Sequence, residues 1–233
     1  MKASFCTLAI HAPYRERARR LCEDLAPAPL FILTDEPGDF SDLNAHAIFH
    51  IPTGPMAADY LRKGTPTGQG RGAAAYHDKR FALLAALKDF DTAIFLDADS
   101  RLQRPLPALP FRPGLSVIPV VRRSIRTHLE TCGSWRLPAF EKLALALFGN
   151  VHVLEQAPWC HETCIAVTKD GREGGFFHAW GEAARLMQAQ DVFSGEGGVI
   201  GLAAHSAGWQ PNYETLNPLA ELLRHEGGGP KPA

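Results

Sequence analysis

Ala93-Ile94-Phe95-Leu96-Asp97-Ala98-Asp99 is the stretch from which the fold is read. A short apolar run drives straight into two carboxylates one residue apart. Preceded by a helical pattern, such a run reads as a buried strand of a parallel sheet. Ligands in open α/β sheets gather at the carboxyl ends of the strands, which puts Asp97 and Asp99 at the mouth of a cleft. In an extended segment, residues i and i+2 point to the same side, so both carboxylates reach one ion. Two neighbouring anions repel, and a divalent cation removes the conflict. Oxygen ligands suit Mg²⁺ or Mn²⁺, which in turn bind substrate phosphates. The competing reading is structural: Asp97 ends a strand, and Asp99 caps a turn with Ser100.

Upstream, residues 4–10, 30–34 and 47–51 read as buried strands, and 13–25 as a helix with Arg15, Arg17, Arg19 and Arg20 largely on its wet side. Strand, helix and strand within about 35 residues form a βαβ unit and favour a doubly wound parallel sheet. Residues 64–72 form a glycine-rich loop without the Lys-Ser/Thr ending of a phosphate-binding P-loop, so an ordinary mobile loop is expected. Residues 73–90 carry a helical stripe of Phe81, Leu83, Leu84 and Leu87, with Lys79 and Arg80 in the first half. Neighbours i and i+1 on a helix do not face each other, so His77-Asp78 is not a catalytic pair, and Asp78 reads as capping or surface charge. Downstream, 115–121 and 164–168 read as strands, and 138–148, 175–189 and 199–207 as helices. Arg122, Arg123 and Arg126 face an anionic ligand or form a solvated basic edge. A Gly/Pro-rich tail begins at residue 222.

The chain has 233 residues, 45% of them hydrophobic, enough for one α/β domain with a sizeable core. A net charge of −1 argues against general affinity for nucleic acid or anionic membrane. No apolar run approaches a transmembrane span, and the N-terminus lacks the apolar core of a signal peptide. Five scattered cysteines fit a reducing cytoplasm. Cys160, His161 and Cys164 offer only three local zinc ligands at a spacing unlike a finger, so reduced thiols are the expectation.

The tail carries the second signal. His225-Glu226-Gly227-Gly228-Gly229-Pro230-Lys231-Pro232 spaces His, Gly and Lys three residues apart. An imidazole nitrogen can join the ion held by the carboxylates. A glycine lets backbone approach a ligand closely, and a lysine supplies positive charge for a diphosphate. A disordered tail that merely contains these residues is the alternative.

At these residues the sequence resembles a known family. Asp97-Ala98-Asp99 after an apolar strand resembles the DxD motif of GT-A glycosyltransferases. His225, Gly228, Lys231 and Pro232 match the His-x-x-Gly-x-x-Lys-Pro motif of glycosyltransferase family 8, the group of glycogenin and bacterial galactosyltransferases, except that Ala233 stands where the family has Trp. The family's early Ala-x-Asp-x-x-Tyr is matched at Ala9 and Tyr14, with His11 in place of Asp. Glu162-Thr163-Cys164-Ile165 is similar to the family's Asn-x-Gly-Val strand. Glu196-Gly197-Gly198-Val199-Ile200-Gly201 is similar to its Asp-Gln-x-x-Leu-Asn.

The resemblance implies a single GT-A domain: a Rossmann-like α/β fold with a mostly parallel central sheet flanked by helices. Residues 1–105 would form a nucleotide-sugar-binding half, 106–221 an acceptor-binding half and 222–233 a metal- and diphosphate-binding tail. It further implies Mn²⁺, or Mg²⁺, held by Asp97, Asp99 and His225, with Ala98 between the carboxylates. Lys231 and Gly228 would meet the donor diphosphate, Tyr14 the base alongside Ala9 and His11, and Lys79 the nucleotide or its sugar. Glu162 and Glu196 fall where sugar and acceptor bind; each accepts a sugar hydroxyl or sits near the anomeric carbon, unless it is a surface-loop or helix-cap residue. The implied reaction is transfer from a nucleotide-sugar, a UDP-sugar, to an unidentified acceptor (sugar, glycan, small molecule or protein) with retention. Three other readings compete with this one. A haloacid-dehalogenase-type phosphatase wants Thr or Val where Arg101 stands. A sugar nucleotidylyltransferase needs a Gly-rich, Arg-containing loop absent from residues 9–20. A nucleotide-sugar-binding scaffold without catalysis fits the altered residues His11, Glu162 and Glu196.

Overall fold

β1 (Ala3–Ala9), β2 (Leu30–Thr34), β4 (Thr92–Leu96) and β7 (Cys164–Thr168) are apolar almost without interruption, and nearly every residue in them is buried. Such strands need cover on both faces. The computed structural model describes residues 2–52, 74–102, 106, 108–120, 122–190, 192 and 195–226. Its main sheet has six strands in the order β3-β2-β1-β4-β7-β6, with β3 at Ala45–Phe49 and β6 at Gly114–Val117. β3, β2, β1 and β4 run parallel, whereas β7 is antiparallel to both β4 and β6. The sheet is therefore mostly parallel and flanked by helices, and one sheet takes strands from both halves of the chain.

Successive side chains leave a strand on opposite faces, and the core divides accordingly. Cys6, Leu8, Phe95 and Val167 face one layer; Phe5, Ala9, Ile94 and Ala166 face the other. α1 (Ala12–Leu25) covers the second layer through Ala18, Leu21, Cys22 and Leu25, joined by Leu219 of α8 (Asn217–Leu222). The first layer receives α2 (Lys79–Leu87), α3 (Ile125–Cys132), α4 (Leu137–Phe148), α6 (Glu173–Gln188) and α7 (Glu196–Ser206). The short α5 (Val153–Gln156) adds Val153 and Leu154.

Local chemistry sets the helix ends. Pro13 enters α1 at its first turn, where a missing N–H costs nothing. Ser124 caps α3 by accepting from the Thr127 N–H at 3.2 Å. Gly149 closes α4 at φ 67°, a left-handed conformation that a side chain would strain.

Several elements depart from the sequence-based expectations. The helix expected over 73–90 is a 3-10 turn, Ala74–Asp78, running into α2. β3 begins two residues early, because pairing with β2 turns Ala45 and Ala47 inward and leaves Phe49 and Ile51 exposed. β6 stops at Val117, two residues before Pro119. α7 starts three residues early and so takes in Glu196. The tail is not featureless at its start: β8 (Leu223–His225) pairs antiparallel with β5 (Ser100–Leu102). The arginines of α1 are ion-paired rather than merely wet: Arg15 to Asp35 at 2.7 Å, Arg17 to Asp99 at 3.7 Å, Arg19 to Asp42 at 2.7 Å and Arg20 to Glu226 at 3.3 Å. The glycine loop at 64–72 lies outside the described residues. Among the described residues, no helix is long and apolar enough to cross a membrane. All five cysteines are unpaired.

Candidate metal centre

The strand order proceeds outward in one direction from β1 and in the other from β4, so the sheet's switch point lies between them. Ligand crevices of open α/β sheets form there, beyond the strands' carboxyl ends. A cavity of about 250 Å³ sits at that point, lined in part by Ile10 and Tyr14 after β1 and by Asp97, Ala98 and Asp99 after β4.

The β5–β8 ladder brings the far end of the chain to this cleft. Ser100 pairs with His225, and the Glu226 N–H donates to the Asp99 carbonyl at 2.8 Å. His225 Nδ1 thereby comes 3.3 Å from Asp99 Oδ1. Ligand atoms of Asp97, Asp99 and His225 all lie within 4.8 Å of one another, and among the described residues no other group of His, Cys, Asp or Glu is gathered so closely. An ion bonded to all three would draw these atoms closer together. Two carboxylates and one imidazole suit Mn²⁺ or Mg²⁺, so the residues fit the ion that the family resemblance implies. The zinc alternative gains no support: Cys160 and Cys164 are buried, burial pushes both thiols far above their ordinary pKa, and the His161 ring bonds to Thr163 at 3.0 Å.

Charge in the cleft is finely opposed. Lys79, the first residue of α2, is 4% exposed, and its ammonium lies 2.8 Å from Asp97 Oδ1 and 3.3 Å from Glu196 Oε1. It also donates to the Glu162 carbonyl at 3.5 Å. Burial works against its charge, but Asp97, Glu196 and Glu162 outweigh burial and raise its pKa. Asp97 is raised because burial exceeds the pull of Lys79. Asp99 is lowered, chiefly by its hydrogen bond with His225, which raises the imidazole in return. Glu196 is pushed up to about 8 by burial, against Lys79. Its Oε1 lies close to the ammonium but poorly aligned, and makes no hydrogen bond. Four carboxylates, Asp97, Asp99, Glu162 and Glu196, face two cations, Lys79 and Arg17.

The expected residues fall in different places. Tyr14, Lys79, Asp97, Ala98, Asp99, Glu162 and Glu196 line the one cleft, and His225 reaches its Asp99. Ala9 does not line it; it is fully buried in the core at the end of β1. His11 sits before α1, where its backbone N–H donates to both Asp35 carboxylate oxygens at 3.2 and 3.1 Å. Gly228 and Lys231 lie outside the described residues. Asp78 is not a surface charge; it holds the N-cap position of α2, but its side chain makes no cap hydrogen bond. It is fully buried and holds His50 Nε2 at 2.9 Å. Of the three arginines after β6, Arg126 faces no ligand: Glu141 at 3.2 Å, Glu155 at 3.5 Å and Glu130 at 3.8 Å surround it.

Two cleft residues escape the sequence motifs. Arg17 lies 3.7 Å from Asp99, and Tyr76 lines the cavity with Lys79 5.9 Å from its ring centre. A signal for both existed. Each is three residues from an expected site residue, Tyr14 or Lys79, the spacing that puts helical side chains side by side. Neither the family models nor the curated proteins compared with this chain give a match.

Proposed function

We propose that this chain is a metal-dependent glycosyltransferase that moves a sugar from a nucleotide-sugar, by resemblance a UDP-sugar, to an acceptor hydroxyl with retention of anomeric configuration. The observation that carries this reading is the meeting of Asp97 and Asp99 with His225, 126 residues beyond Asp99, at the switch point of the sheet. In the reaction, the bond from anomeric carbon to diphosphate oxygen breaks and a bond to the acceptor oxygen forms. The acceptor's proton leaves with the departing diphosphate or to solvent. When bound, a divalent ion supplies positive charge where the phosphate oxygen becomes negative. The chain's own part is to place Asp97, Asp99 and His225 around that charge, to add Lys79 beside it, and to keep Glu196 and Glu162 at the sugar end. A carboxylate there stabilises an oxocarbenium-like transition state, as in glycoside hydrolysis. Tyr14, in the first turn of α1, offers the donor's base a ring face.

A second reading has one observation in its favour: Lys79 already holds Asp97 at 2.8 Å, as in a domain that binds nucleotide-sugars without turning them over. Thermal unfolding with UDP, Mn²⁺ or both tests binding, and a UDP-sugar hydrolysis assay separates the two readings. A ligand at a hundred times its Kd adds about 2.7 kcal/mol. For a chain of this size that raises Tm by roughly 5–10 °C. That rise is expected only with both components, and Asp99→Ala and His225→Ala should lose it while remaining folded. Turnover in Asp99→Ala should fall on the order of 10²-fold or more, as for removal of one preorganised stabilising group. If no nucleoside diphosphate stabilises the protein in a Mn²⁺-dependent way, the proposal fails.

A further inference from the structure

Among the described residues, Arg122, Arg123, Arg136 and Arg224 have no carboxylate within 4.0 Å, and of these Arg136 is the one that is not exposed. The four on α1 each have a carboxylate within 3.7 Å, and Arg126 has three around it. Arg136, which leads from the 3-10 turn Ser134–Arg136 into α4, has no carboxylate within 4.0 Å among the described residues. One guanidinium nitrogen donates to the Cys132 carbonyl at 3.0 Å; its Nε is buried and makes no hydrogen bond. Burial pushes its pKa down, against the pull of Glu162. A half-buried cation whose nearest acting carboxylate, Glu162, makes no ion-pair contact with it can accept an anion from a ligand.

The place of this arginine is specific. It lies over the Trp159 ring at 5.4 Å and near the Trp135 ring at 5.7 Å. His128 stacks on Trp159 with ring centres 3.8 Å apart, completing an aromatic wall. Trp135 is 45% exposed, an open flat face beside a guanidinium. Arg136 does not line the cleft itself but stands beside the start of α7, whose Glu196 does. One of its terminal nitrogens lies 3.5 Å from the position a side chain on Gly195 would take, and Gly195 immediately precedes Glu196. Gly195 adopts φ 104°, and a Cβ there would come 3.0 Å from Phe140, so the backbone packs closely beside Phe140 and Arg136 at this point. Glu162 joins the two regions: it lines the cleft, and its charge acts on Lys79 and Asp97 as well as on Arg136 and His128.

We infer that this corner is the acceptor subsite and that the acceptor is an anionic saccharide, its carboxylate or phosphate gripped by Arg136 and its ring laid against Trp135. This rests on the glycosyltransferase reading above. A guanidinium fork matches either anion in bidentate fashion, and exposed indole faces suit the apolar face of a sugar ring.

Calorimetric titration of the full chain, in the presence of UDP and Mn²⁺, with glucuronate, glucose 6-phosphate and glucose tests the inference. At least one anionic sugar should bind tenfold or more tightly than glucose, and the two anionic arms tell carboxylate from phosphate. Arg136→Gln should abolish that preference, Arg136→Lys should restore part of it, and Trp135→Ala should weaken every sugar. UDP–Mn²⁺ affinity should stay unchanged in all three variants. The inference is overturned if glucose binds as tightly as both anions, if Arg136→Gln keeps the preference, if that variant weakens UDP instead, or if UDP–Mn²⁺ binds while no anionic sugar does. If anionic sugars bind but UDP–Mn²⁺ does not, the corner stands as a saccharide site and the transferase reading falls.

Discussion

Lys79 places an ammonium among three carboxyl groups in a site that water barely reaches. Its Coulomb gain and its desolvation penalty are both large, and the nearby carboxylates, Asp97 above all, make the sum favourable. Removing one partner of such a pair leaves an uncompensated charge, at about 3–5 kcal/mol. Lys79→Met should therefore lower the urea-unfolding free energy by about that amount, and Mn²⁺ should recover a larger share of stability than in the parent protein. An unchanged midpoint would mean that the ammonium is not what balances Asp97 and Glu196. The residue scale is also where motif reading worked best. Asp97, Asp99 and His225 are legible because metal ligation restricts both residue type and spacing. Arg17 has no such restriction. A helix with Arg15, Arg17, Arg19 and Arg20 looks the same in sequence whether its cations meet water or a metal site, and the four carboxylates facing them lie at residues 35, 42, 99 and 226.

At the scale of elements, the site depends on two three-residue strands. β5 is tied to α1 by a bidentate pair, Arg101 to Asp24 at 2.6 and 2.9 Å, and the Leu102 N–H donates to the same carboxylate at 3.0 Å. Arg101 also reaches Glu226 at 3.1 Å, so one guanidinium fastens both β5 and the residue after β8. Asp24 touches no expected metal ligand but sets where His225 sits. Asp24→Asn breaks the fork, and partners of this outer kind typically contribute 10–100-fold to metal affinity. Mn²⁺ affinity, measured by electron paramagnetic resonance, should fall by roughly that factor with the far-ultraviolet circular dichroism unchanged; undiminished affinity would show that the ladder does not position His225. Short strands of this kind carry too few residues for a period to be read, which is why β5, β8 and the six-residue α8 were not legible while β2 and β7 were, to the residue. The direction of β7 was hidden for another reason. An apolar strand buried on both faces looks alike in either orientation, and only its connections decide that it runs against β4.

Across the whole molecule, the first core layer is joined to the cleft through His77. This imidazole is 4% exposed and accepts from the Trp180 indole N–H at 3.2 Å, linking the turn before Lys79 to α6. Accepting at Nδ1 requires that nitrogen to be unprotonated. Burial, then Arg80 and Lys79, drive the pKa of His77 down to about 3. In the unfolded chain the same group titrates near 6.5. Between those values the unfolded state binds more protons than the folded one, so stability rises with pH across the window and is lost as pH falls from about 6.5 toward 3. The slope approaches 1.4 kcal/mol per pH unit where the two protonation states differ fully. Carboxylates held low by arginines, Asp24, Asp35 and Asp42, lose their contribution only at lower pH, beneath their ordinary value of 3.8. Glu196, raised by burial, works in the opposite sense over part of the range, so the net curve of the parent protein is not diagnostic. A difference measurement is. His77→Gln keeps an acceptor for Trp180 and removes the titration. Its stability deficit relative to the parent, from urea midpoints, should shrink by more than 1 kcal/mol between pH 6.5 and 4.5, because the parent alone pulls a proton off this site in order to fold. A deficit that stays constant over those two units would place the imidazole in contact with water and break the link between Trp180 and the cleft.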